Sequence, residues 1–351
     1  MSLLLLDTLG EANAAALVGL VGGIALGLAA RLGRFCTLGA IEDALYSSDD
    51  RRLRMWAVAI GLAVIGAHLA MAAGYVDARQ STYLTLAWNP LATILGGLMF
   101  GYGMALSGNC GYGALARLGG GDLRSFVIVV VMGLSAYVVM SGPLARLRLT
   151  LFPDLPANGA PQSLAQLSTL DPALVGLGVG LPLLTLALSS RRMRASPGHL
   201  VWSAVVGLAI LSGWLGTTWI ARTGFAAEAV RSHSFAAPLG ETLIWGMTAS
   251  GTALSFGVGS VAGVLLGALA GSFRRGHFRW EACEDPRELR RQIAGAALMG
   301  PGAVLAVGCS IGQGLSAFSL LAFSAPVTFA AIFAGAAIGL NRLIAGPAGI
   351  D

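Results

Sequence analysis

The sequence predicts an all-α polytopic membrane protein of about nine spans, with short half-helices set between them in two pseudo-symmetric, inverted repeats. Three observations predict it. Hydrophobic residues make up 56% of the 351 residues and charged residues 11%, and the mean hydropathy is +0.75. A soluble domain carries about a quarter charged residues, so this chain cannot cover itself with polar surface. Apolar runs of spanning length recur along it, and glycine-rich interruptions between them repeat at a fixed offset.

In chain order the long runs fall near 13–30, 55–75, 90–106, 125–142, 172–190, 199–220, 245–271, 292–307 and 326–345. A full crossing takes roughly 17–25 apolar residues. The opening "MSLLLLDTLGEANAAAL" has no basic stretch and no small-residue cleavage site, so no removable signal peptide is expected. Shorter runs at 34–46, 111–118, 233–243 and 311–323 are broken by Gly, Pro or polar residues. They read as half-helices or re-entrant pieces, which a bilayer tolerates only when protein or a wet cavity surrounds them. Residues 151–171, rich in Pro and Ala, read as a linker between a first half at 1–150 and a second at 172–351, the two forming one transmembrane domain.

All 22 basic residues are arginine, giving a net charge of +5. They cluster beside apolar runs, which suits membrane orientation and not nucleic-acid binding. "FRRGHFRWEACEDPRELRR" at 273–291 and "RRMR" at 191–194 are both expected on the cytoplasmic side. That holds if 195–272 crosses an even number of times.

The repeat is the strongest signal. At an offset of 199, Gly96 matches Gly295, Gly101 matches Gly300, Gly103 matches Gly302, Leu106 matches Leu305, Cys110 matches Cys309 and Gly113 matches Gly312. Abundant glycine and leucine can coincide by chance, but a cysteine in register, in a chain with four, cannot easily do so. At an offset of 198, "RFCTLGAIEDAL" aligns with "SHSFAAPLGETL", pairing Asp43 with Glu241 and setting Ser234 opposite Cys36. Duplicated halves with matching broken helices point to a transporter whose site lies at the repeat interface.

The motifs "SGNCGYG" and "VGCSIGQG" suit a soft anion. Gly108, Gly111, Gly113, Gly308 and Gly312 allow backbone to approach backbone or ligand. A helix starting after each cysteine offers free amides to an anion. The thiol is a weak donor and acceptor, and Asn109, Ser310 and Gln313 add amide and hydroxyl groups. The competing reading makes each cysteine a small buried hydrophobe; register inside a glycine-rich break favours function for Cys110 and Cys309. Cys283, in the charged segment, reads as an ordinary thiol. No metal site is expected, because no CxxC or Cys/His pair has ligand spacing, and no cofactor is called for.

On the "RFCTLGAIEDAL", "GYGMALSGNCGYG" and "GPGAVLAVGCSIGQG" segments the chain resembles the YeeE/YedE sulfur-transport family, over nearly its whole length. The resemblance implies an hourglass-shaped helical bundle in the bacterial inner membrane that takes up thiosulfate, with cysteines holding the anion through S–H hydrogen bonds. Cys110 and Cys309 would be the central pair. Cys36 keeps the family context while Ser234 stands at its duplicated position, which leaves thiosulfate and related sulfur or selenium species open as cargo. A cytosolic sulfur-accepting protein is a possible partner.

A second class, a membrane sulfur-handling or redox protein with a persulfide-forming Cys110 or Cys309, needs an adjacent base. No histidine lies near either motif, which disfavours it. Glu42, Asp43 and Glu241 read as solvated or arginine-paired groups, His68 as a packing residue, and Trp202, Trp214 and Trp219 as interfacial or packing aromatics. No P-loop is present.

Overall fold

The computed structural model describes residues 10–225, 229–282 and 285–345; Cys283 lies outside them. Among these residues the protein is all-helical, with isolated bridges but no strand. The first half supplies α1 (Glu11–Leu32), α2 (Thr37–Tyr46), α3 (Arg51–Ala72), α4 (Pro90–Ser107), α5 (Gly111–Leu118) and α6 (Leu123–Met140). Then come α7 (Pro172–Leu188), α8 (Pro197–Thr223), α9 (Ala237–Thr248), α10 (Phe256–Arg275) and α11 (Pro286–Leu305). The last two are α12, at 310–319 with a π-helical centre at Gly312–Ala317, and α13 (Ser324–Ala345).

Local chemistry sets these starts. Three of the helices, α4, α7 and α11, begin with Pro after Asn89, Asp171 and Asp285, whose side chains accept an amide of the first turn. Proline at the first position loses only an amide that would be orphaned there anyway.

Among the described residues seven helices are long and apolar enough to cross a membrane, where the sequence suggests nine. The difference lies in α7, 17 residues long, and in α11, whose first turns carry Arg287, Glu288, Arg290 and Arg291. The run at 245–271 is also not one span: it splits into the end of α9, a break over 249–255 and α10. Ser255 makes that break by accepting the Val258 amide at 3.3 Å. Helix α2 starts at Thr37 and α9 at Ala237.

Helices meet through small residues, as expected where no hydrophobic force drives association in lipid. Along α1 and α10, which run parallel, Gly19, Gly23 and Gly27 lie against the backbone of Phe256, Ser260 and Val264 in step. The pair α4 and α11 runs antiparallel, Gly96 meeting Gly302 and Gly103 meeting Gly295. A Cβ on Gly23 would stand 2.4 Å from Ser260 O and 3.0 Å from Gly263 Cα. Gly23→Val is therefore expected to cost about 1–3 kcal/mol by overpacking, read as a lower melting temperature of the purified protein. An unchanged melting temperature would mean that the α1–α10 seam has slack.

One end of the bundle gathers the termini of α1, α3, α8, α10 and α11. There Arg275 donates to Leu32 O, Arg31 Nε donates to Ser272 Oγ at 2.6 Å, and Arg124 approaches both Glu281 and Glu288. The segments 191–194 and 273–291 share this end: Arg191 and Arg192 line a surface hollow with Asp49 and Asp50, while Arg275 and His277 share a cavity with Arg52. Only five of the 22 arginines, Arg79, Arg146, Arg148, Arg222 and Arg231, belong to the segments at the opposite end.

The remaining polar groups take structural places. Asp43 pairs with Arg52 at 3.2 Å and Glu241 with Arg231 at 3.6 Å. His68 is buried and turns Nδ1 to Val64 O, one turn back in α3. Trp214 is a packing residue, its indole N–H donating to Ser319 Oγ at 2.9 Å.

Candidate functional site

Four helix breaks converge inside the bundle: 33–36, 108–110, 229–236 and 306–309. The break after α4 turns at Gly108, which takes the left-handed conformation at φ 71°. The break after α11 turns at Val307, φ 55°, a costly conformation for a β-branched residue. Gln313 holds that second turn together. Its Nε2 donates to Ala306 O at 2.7 Å, and its Oε1 accepts from Ser324 Oγ at 3.2 Å. Thus the Gln313 amide is engaged by protein groups at both ends.

Each paired cysteine sits at the start of a short helix and points its sulfur at the third amide. Gly113 N donates to Cys110 Sγ at 3.4 Å, and Gly312 N donates to Cys309 Sγ at 3.4 Å. A side-chain cap reaches the N–H three residues on, and glycine at that position in both motifs leaves room for Asn109 beside Gly113 and Ser234 beside Gly312. Cys309 accepts a second amide, that of Phe235, at 3.3 Å, and Ser234 Oγ lies 3.8 Å from its sulfur. Both thiols are buried, at 1% and 2% exposure, and neither forms a disulfide.

Ser310, next to Cys309 in the chain, has a buried hydroxyl with no hydrogen-bond partner and lies near Cys110. Cys36 and Cys309 both lie near Cys110. Cys36 caps α2 without a hydrogen bond of its own and is only partly buried. Tyr112 braces the centre, its hydroxyl donating to Leu26 O at 2.6 Å and its ring packing on Phe235 at 5.4 Å.

Cavities open on both sides of these thiols. Toward the arginine-rich end, about 370 Å³ is lined by Cys36, Asn109 and Gly113 with Arg31, Arg34 and Arg117. Toward the other end, about 310 Å³ is lined by Ser234, Gly308 and Tyr83 with Arg148, Arg231 and Glu241. Gly111 packs against Met132 and Leu239 and faces neither cavity. Gly312 approaches Ser234 and Tyr83: a Cβ there would meet Ser234 Oγ at 2.6 Å and the Tyr83 hydroxyl at 3.0 Å. Sequence reasoning missed Tyr83, which comes from the connection between α3 and α4, where no motif marks it. Among the described residues no group of three or more His, Cys, Asp or Glu could hold a metal ion.

A bundle of apolar spans whose broken helices bury polar and soft side chains at its core is a multi-pass membrane protein built around an interior site. The chain belongs to the sulphur transport family, whose pattern matches residues 32–338. It is 25% identical over 316 residues to the thiosulfate transporter TsuA of Escherichia coli K12, covering 85% of this chain and 86% of that one. To the thiosulfate transporter TsuA of Spirochaeta thermophila it is 25% identical over 320 residues, covering 87% and 92%. The family's description and both relatives' names are those of transporters, not enzymes.

Proposed function

We propose that this protein carries a small sulfur-containing anion, thiosulfate above all, through the bacterial inner membrane into the cell. The observation that carries the reading is the line of soft and hydroxylic groups between two cavities: Cys36, Cys110, Ser310, Cys309 and Ser234. Such groups bind a sulfur anion weakly enough to release it, as conduction requires. A persulfide enzyme would need a base beside the thiol, and the hydrogen-bond partners of Cys110 and Cys309 are amides and hydroxyls. The names of the relatives support thiosulfate as cargo.

In this reading α1–α6 and α8–α13 are inverted repeats. The sequence of long, short, long, long, short and long elements recurs, and α7 is the extra helix that reverses the second set. Parallel α1 and α10 have their counterpart in α8 and α3, where Gly207 meets Ala59 and Gly66 meets Leu211. Nine helices then cross, α7 and α11 included, with 151–171 as the linker. The short helices α2, α5, α9 and α12 start at the centre, where Asn109, Gly113, Gly308 and Gly312 shape the passage. The arginine-rich end faces the cytoplasm, because positive charge is retained there during insertion. Anion would leave past Cys36 and Arg34 toward a sulfur-accepting protein.

Cells lacking other sulfur importers are expected to grow on thiosulfate and accumulate labelled thiosulfate when they express this chain; absence of both would refute the transport reading. Sidedness has its own test. A cysteine placed at the exposed Arg279 should stay unlabelled by an impermeant reagent in intact cells and react after permeabilisation. Labelling in intact cells would reverse the orientation.

A further inference from the structure

The outer floor of the passage holds a group that neither the motifs nor the repeat explain. Tyr83 sits on the short helix Thr82–Thr85 and sends its ring beneath the 310 Å³ cavity. Its hydroxyl and Ser234 Oγ flank the same point of Gly312, beside Cys309. Cys309 accepts amides from Phe235 and Gly312, and because either member of the 3.8 Å Cys309–Ser234 contact can be its donor, one of the two protons stays free for a ligand. The charges around this floor are balanced, Arg148 by Asp154 at 2.8 Å and Arg231 by Glu241 at 3.6 Å, although the Nε of each arginine has no hydrogen-bond partner. Neutral donors stand beside these pairs to orient an anion. Two kinds stand side by side: one soft thiol and two hard hydroxyls.

A sulfur oxoanion has the matching asymmetry, with a polarizable sulfur at one end and hard oxygens at the other. We infer that Tyr83 is a specificity-determining residue: its hydroxyl donates to an oxygen of the anion while the sulfur end meets Cys309. This rests on the transport reading above. It adds the requirement that the cargo carry oxygens as well as a soft sulfur, since a site built to donate a hydrogen bond discriminates against ligands that leave the donor unpaired.

Tyr83→Phe keeps the ring and removes only the donor. Its KM for labelled thiosulfate is expected to rise about five- to tenfold with Vmax little changed, in line with one lost neutral hydrogen bond. In purified protein, the thiosulfate concentration that half-saturates thermal stabilisation should move by the same factor, while the melting temperature without ligand stays put. Tyr83→His, a ring that retains an N–H donor, should recover part of the affinity and serves if the phenylalanine variant accumulates poorly. Unchanged KM and half-saturation in Tyr83→Phe overturn the role of Tyr83, as does a fall in Vmax alone. Wild-type protein that neither takes up thiosulfate nor is stabilised by it overturns the transport reading itself.

Discussion

Replacing Cys110 or Cys309 by alanine is expected to abolish sulfur-limited growth on thiosulfate while leaving the protein folded. Each thiol is buried, but alanine removes only the one sulfur atom, so the lost packing is small. What is lost is the one soft donor at that step. An anion left unpaired in a narrow apolar passage costs roughly 1–3 kcal/mol, which slows passage about five- to more than a hundredfold. Serine should fall between, because it keeps a donor and the cap on Gly113 or Gly312 but is smaller and harder. Cys283→Ala, in the charged segment, should match wild type and so serves as the control. Growth and labelled uptake at matched expression read all of these. Equal uptake by all four alanine variants would reduce the thiols to packing residues.

The second large effect is expected at Gly312. Its Cβ would stand 2.6 Å from Ser234 Oγ and 3.0 Å from the Tyr83 hydroxyl, and valine adds two further carbons aimed at the same groups. Overpacking of this kind costs about 1–3 kcal/mol. Here the atoms displaced are the ones proposed to touch cargo, so Gly312→Val should lower uptake by tenfold or more, and Gly312→Ala by less. Gly246 on α9 has open space around its Cβ position. Gly246→Ala should leave uptake unchanged and gain up to about 1 kcal/mol of helix propensity. Full activity in Gly312→Val would place the passage elsewhere.

Both effects concern residues that the sequence made legible, for an identifiable reason. A cysteine that caps a short helix needs only a backbone N–H three residues on, and in both breaks that residue is a glycine because another group packs where its Cβ would be, Asn109 on Gly113 and Ser234 on Gly312. The membrane class was equally plain, because too few polar residues exist to cover the surface. What was hidden depends on distance in the chain. Tyr83 reaches the Gly312 turn beside Cys309 from a connection far from it in the chain, and no local pattern marks that approach; Ser234 is marked only by its alignment opposite Cys36. The break at 249–255 lay inside an apolar run because Ser255, not a charged or proline residue, starts α10. Gln313 read as a donor for cargo, yet its amide is spent on the turn at Ala306 and Val307, a use visible only once Val307 is seen at positive φ.

The central claim is that a sulfur anion passes from one cavity to the other by way of Cys110 and Cys309. Purified protein reconstituted into sealed vesicles, with labelled thiosulfate outside, tests it without other importers or metabolism. Wild-type vesicles should load thiosulfate well above protein-free vesicles, and Cys110→Ala, Cys309→Ala double-variant vesicles with equal protein content should load no faster than protein-free ones. Loading by the double variant at the wild-type rate would contradict the account.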